Sequence, residues 1–105
     1  MLPGVATESD VRRICLSLPA VTERPSWGRP AWFHGPTLMA RMWEDAVLTL
    51  KTDERDVLAG ADPETFYWTP HHERSPLLLL VRLDRVADDE LVELLEESHR
   101  IAARR

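Results

Sequence analysis

The sequence predicts an α+β domain in which helices cover one face of an antiparallel sheet. Three observations carry the prediction. Apolar residues recur with helical spacing near both ends, at Val11, Ile14, Cys15 and Leu18 and again at Leu91, Val92, Leu94 and Leu95. Between these stretches the period falls to two, and the turns Gly35-Pro36 and Glu44-Asp45 fold three short runs into a meander. The run Leu77 to Leu83 is almost continuously apolar, as a strand buried on both faces would be.

The elements follow in order. Thr7 stands three residues before Asp10, an approximate capping box for the first helix, and Pro19 stops that helix. Ala20 to Pro30 lacks a clear period and contains Pro25, Gly28 and Pro30, so it reads as an ordered loop around Trp27. Ala31 to His34, Thr37 to Trp43 and Ala46 to Lys51 read as the first three strands. Asp53 is placed to cap a short helix through Val57 and Leu58 that ends near Gly60. Phe66 to Trp68 reads as a fourth strand, Thr69 to Pro76 as a proline-bracketed loop, and Leu77 to Leu83 as a fifth strand inside the sheet. Asp88 is expected to cap the last helix. Acids crowd its first turn, and Arg100, Arg104 and Arg105 its end, as the helix dipole favours. The expected order is α-β-β-β-α-β-β-α, in one domain over 1–105.

Composition narrows the function. The chain of 105 residues suits one core, and its 44% apolar and 30% charged content is that of a folded protein. One cysteine allows neither an internal disulfide framework nor a cysteine-based zinc knuckle. No apolar run is long enough to cross a bilayer, and Met1 to Ala6 lacks the pattern of a secretory signal, so a cytoplasmic location is expected. The net charge is −5, but six of the 18 acids lie between Asp88 and Glu97 with no base among them. Residues 1–87 hold twelve acids against ten bases, which leaves room for a local basic patch.

Catalytic motifs are missing from the sequence. There is no nucleophile elbow, phosphate-cradling glycine loop or zinc-protease helix, so no enzyme activity, cofactor or metal is expected. Cys15 lies on the apolar stripe of its helix and reads as a small buried hydrophobe. His71-His72-Glu73 is read as plain loop, because adjacent histidines in an extended segment point apart and no further ligand stands at a suitable spacing. The tryptophans Trp27, Trp32, Trp43 and Trp68 could stack on bases, but filling a small core is the simpler use. Trp32 and Phe33, being adjacent, should point to opposite faces of the sheet.

The chain also resembles a known family. Val11 to Pro19 with Thr22-Glu23, then Gly28, Pro30 and Phe33, are similar to the opening of the MmcQ/YjbR family. So are Leu50-Lys51, Asp62-Pro63-Glu64-Thr65-Phe66, Thr69-Pro70-His71, Val81-Arg82-Leu83 and the closing Asp89-Glu90-Leu91 with Glu93-Leu94-Leu95. The resemblance implies a two-layer sandwich with a five-stranded antiparallel sheet and a DNA-binding role through paired hairpins, the "double wing". A Gly-Lys pair common at one hairpin reads Pro36-Thr37 here, which removes a cation from that wing.

Strict alternation yields a candidate surface. If Leu48 and Leu50 face the helices, the uncovered face carries Met39, Trp43, Val47, Leu78 and Leu80 with the cations Arg41, Lys51 and Arg82. On a nucleic-acid reading, Arg41, Lys51, Arg74 and Arg82 would meet phosphates, with His71 and His72 on the second wing loop. The acidic tip Trp43-Glu44-Asp45 opposes that reading. A protein-interaction module, associating with itself or another protein through the apolar patch, is the alternative. A third reading holds a small anionic ligand between Trp27, Arg29 and Arg82. The bland alternative for the whole face is that the chain's own loops cover it.

Overall fold

The computed structural model describes residues 5–104; Met1 to Gly4, and the Arg105 assigned above to the helix end, lie outside the described residues. The chain runs α1 (Glu8–Ser17), β1 (Val21–Ser26), β2 (Arg29–His34), β3 (Thr37–Glu44), β4 (Val47–Lys51), α2 (Arg55–Ala61), β5 (Phe66–Tyr67), β6 (Leu78–Arg82) and α3 (Asp88–Ala103). The six strands form one antiparallel sheet in the order β1-β2-β3-β4-β6-β5. The apolar run of β6 therefore lies inside the sheet, as its composition requires.

The sixth strand corrects the sequence reading. The segment taken as a loop is β1 and the start of β2, paired from Val21↔His34 to Ser26↔Arg29. The hairpin turns through Trp27 and Gly28, both at positive φ (55° and 76°), the combination that closes a two-residue hairpin. Pro25 faces Pro30 across the pair. β1 is an edge strand, where a proline costs no ladder bond on the outer side. The next hairpin turns at Gly35-Pro36, with Gly35 at φ 56° as a turn of this kind needs at its first position.

Helix ends differ in detail from expectation. The Thr7–Asp10 capping box forms in full. Asp53 does not cap α2: its carboxylate pairs with Arg104, and the Glu54 N–H goes to Thr52 Oγ1. Asp88 does not cap α3 either. It is the first helical residue, and its carboxylate pairs with Arg13 of α1 at 2.7 Å, tying the two helices together.

The core lies between the sheet and the helices. Trp32, Ala40, Leu50 and Leu79 form one row across four strands, and Met42, Leu48, Val81 and Phe66 a second, all in the buried cluster with Val11, Ile14, Leu91 and Leu95. Cys15 is fully buried there, and burial pushes its thiol up to about 12. Trp32 donates from Nε1 to Glu23, whose carboxylate also receives Arg12 from α1. That Arg12 bond holds the Glu23 carboxyl below its ordinary range.

Two bulges in β3 break the alternation assumed from sequence. Trp32 pairs with Ala40 but Phe33 with Leu38, so Met39 is an extra residue; Met42 pairs with Leu48 but Glu44 with Val47, so Trp43 is another. The first bulge turns Met39 into the core instead of onto the open face, and Leu38 replaces it opposite Phe33. Its backbone is held from α3. The Ser98 hydroxyl, fully buried, donates to Met39 O at 2.7 Å and accepts Lys51 N–H at 2.9 Å.

Candidate nucleic-acid interface

The face opposite the helices is built from the other set of residues on each strand. Arg24, Ala31, Arg41, Thr49, Leu80 and Tyr67 form one row that crosses all six strands. Arg29 lies on the same side of β2 as Ala31, and Val47 and Arg82 oppose each other on β4 and β6. Lys51 and Leu78 pair at the far end. The face thus carries cations from β1 to β6, and three of its arginines lie over aromatic rings. Arg24 sits 3.8 Å from the Phe33 centroid, Arg82 4.1 Å from Tyr67 and Arg41 5.5 Å from Trp43. A guanidinium on a ring is weakly hydrated and held flat, with its N–H groups still available to an acceptor.

Sequence reasoning missed Arg24, and it assigned Arg29 to a loop. Alternation of Thr22, Arg24 and Ser26 against Glu23 and Pro25, ending at Trp27-Gly28, was the signal that could have identified this hairpin.

Part of this face is covered. The loop after β5 does not run extended, as the histidine argument supposed. Pro70–His72 is a turn of 3-10 helix, and both rings meet Trp43, at 5.9 Å for His71 and 4.6 Å for His72. His72 is buried, and its ring nitrogen Nδ1 lies 2.8 Å from Thr69 Oγ1. Burial, then His71, Arg41 and Arg55, lower its pKa. Arg55 reaches this loop from α2 with Trp68 stacked at 3.9 Å, and donates to the carbonyls of His72, Ser75 and Leu78. Val47, Thr49 and Leu80 are buried, so the apolar patch is smaller than alternation implied. The Thr49 hydroxyl has no hydrogen-bond partner among the described residues.

The structure brings some candidate residues together and separates others. Arg41, His71 and His72 gather around Trp43. Arg82 is held by Tyr67 and by the Glu64 carbonyl at 2.9 Å, while Arg29 is held by Asp45 at 3.2 Å. Trp27, 90% exposed, and Arg29 share the β1–β2 hairpin tip, but Arg82 is on β6 with β3 and β4 between, so the three form no common small-ligand pocket. Arg74 is exposed on the loop beyond His72. Lys51 borders a shallow apolar cleft with Leu38, Pro76, Leu77 and Leu78.

Charge separates by layer. Glu54, Glu90, Glu93, Glu96 and Glu97 line a groove between α2 and α3, on the helix side. Arg100 borders the same groove, while Arg24, Arg29, Arg41 and Arg82 lie on the opposite side of the sheet.

The architecture is that of a small two-layer α+β domain with an open, cation-bearing sheet face. The sequence model of the YjbR family matches residues 16–101, and the chain belongs to that family. Among solved structures it is similar to the Deinococcus radiodurans protein DR2400, described as carrying the family-model domain DUF419. That likeness has a TM-score of 0.81 at 22% identity, over 99% of this chain and 84% of the other. At that identity the likeness speaks for the fold alone. No curated protein matches significantly. No helix among the described residues is long and apolar enough to cross a membrane.

Proposed function

We propose that this protein is a non-enzymatic nucleic-acid-binding domain that meets the phosphate backbone with its open sheet face. One observation carries the reading. Arg24, Arg29, Arg41, Lys51 and Arg82 come from five strands to a single face, while the acids responsible for the net charge of −5 gather on the helix layer. A chain that is acidic overall can still attract a polyanion through one basic face, since the field of that face governs approach within about a Debye length. Asp45 beside Arg29, and Glu44 opposite Val47 in the row of Arg82, weaken the end of the face at the β3–β4 turn, while Arg24 and Arg41 lie in the row that crosses the strands away from that turn.

The reading through an apolar interaction surface draws less support. Met39 turns into the core, and Val47 and Leu80 are covered.

The test is a titration of nucleic acid against rising salt. Binding should weaken steeply, and each Arg→Ala change at Arg24, Arg41 or Arg82 should reduce the logarithmic slope by about one. Affinity that is indifferent to salt would refute the proposal.

A further inference from the structure

Among the described residues, Trp27 is the one large aromatic that the fold does not use. Its side chain is 90% exposed, and it makes no ring contact or hydrogen bond with the described residues. Its backbone sits at φ 55°, a conformation that disfavours a bulky residue and suits Asn or Gly. The ring therefore costs the hairpin conformational energy and exposes apolar surface to water, with no packing to offset either.

The surroundings of Trp27 suit a nucleotide. Beside the tip lies a shallow cleft of about 350 Å³ lined by Arg24, Pro25, Gly28, Arg29 and Pro30 together with Glu23. The Glu23 carboxylate is already engaged by Arg12 and by the Trp32 N–H. Two guanidiniums thus stand within a few residues of an exposed indole, one of them leading onto the face through the Arg24–Phe33 pair. A phosphate at the arginines and a base on the indole match this arrangement.

Resting on the nucleic-acid reading above, we infer that the protein prefers unpaired nucleotides, with Trp27 stacking on an exposed base at the hairpin tip. Inside a duplex each base face is occupied by its neighbours, and inserting an indole requires unstacking a step. A single strand offers the same π-face without that cost, and base stacking on an aromatic tolerates any sequence.

The experiment compares oligo-dT with the duplex that it forms with oligo-dA, at low salt, by anisotropy and by tryptophan emission. Wild type should bind oligo-dT more tightly, with quenching of the emission that Trp27→Phe removes. Trp27→Asn should lower oligo-dT affinity roughly tenfold or more, leave duplex affinity unchanged and raise the melting temperature. Trp27→Phe should keep most of the affinity, because it keeps a ring. Equal or tighter duplex binding overturns the inference and leaves the nucleic-acid reading standing, as does unchanged oligo-dT affinity in Trp27→Asn. A fall in melting temperature for Trp27→Asn overturns it too, since the ring would then serve folding. Failure of both probes to bind removes the parent reading along with this one.

Discussion

Ser98→Ala should be among the costliest single-atom deletions in the chain. The hydroxyl is fully buried in α3 and bridges two strands at the point where the Met39 bulge interrupts the ladder. It gives its proton to Met39 O and receives Lys51 N–H. Removing it leaves one buried carbonyl and one backbone amide unpaired, while the lost atom contributes almost no apolar area. Each orphaned group costs about 1–3 kcal/mol, so a loss of about 2–4 kcal/mol is expected against a total of about 5–15 kcal/mol. A domain of this length should melt lower by roughly 10–20 °C on that figure. Urea unfolding followed by far-UV circular dichroism, with an unchanged m-value, measures it directly. Ser17→Ala is the control, since that hydroxyl bonds only to Ile14 O, within its own helix. A Ser98→Ala variant within about 0.5 kcal/mol of wild type would refute the claim that this side chain holds the bulge.

Further outcomes follow from the same packing. Cys15→Ser should cost roughly 1–3 kcal/mol by burying a hydroxyl without a partner, and the native thiol should resist a thiol reagent until the chain unfolds. Thr49→Val should be neutral or stabilise by up to about 1 kcal/mol in chemical denaturation, because the hydroxyl it removes is buried and unpaired. His72 has a native pKa below its ordinary 6.5, so the unfolded state binds its proton more readily than the native one. Its contribution is then present above about pH 6.5 and is lost as pH falls toward the native value, and stability measured on either side should show a drop that His72→Gln lessens.

What the sequence disclosed depended on whether a signal was local. The first helix announced itself through Thr7, Asp10 and the Val11–Ile14–Cys15 stripe, and β6 through its apolar run. Edge strand β1 was hidden because it carries Pro25 and ends in a tryptophan at positive φ, a residue that turn chemistry does not favour. The side of the sheet on which Met39 falls could not be read from β3 at all. It depends on a bulge secured by Ser98, 59 residues later, and one such insertion puts the residues before and after it out of phase, so Leu38 and Met39 exchange faces while Arg41 keeps its own. For the site, Arg41 and Arg82 were found because strict alternation happened to hold at both, whereas Arg24 awaited the recognition of its strand. The gathering of His71 and His72 on Trp43 depended on the loop anchored by Arg55, an interaction between elements with no periodic signature.

The central claim, that one face of the sheet meets a polyanion, is tested most directly by two variants of equal charge. In the first, Arg24, Arg41 and Arg82 on the open face become Gln; in the second, Arg13, Arg100 and Arg104 on the helix layer do. Both remove three positive charges, so any effect of net charge is common to them. Nucleic-acid affinity measured at one low salt concentration should collapse in the face variant, with a salt slope flatter by about three, and should change little in the helix variant. Equal losses in the two, or a larger loss in the helix variant, would contradict the assignment of binding to the sheet face.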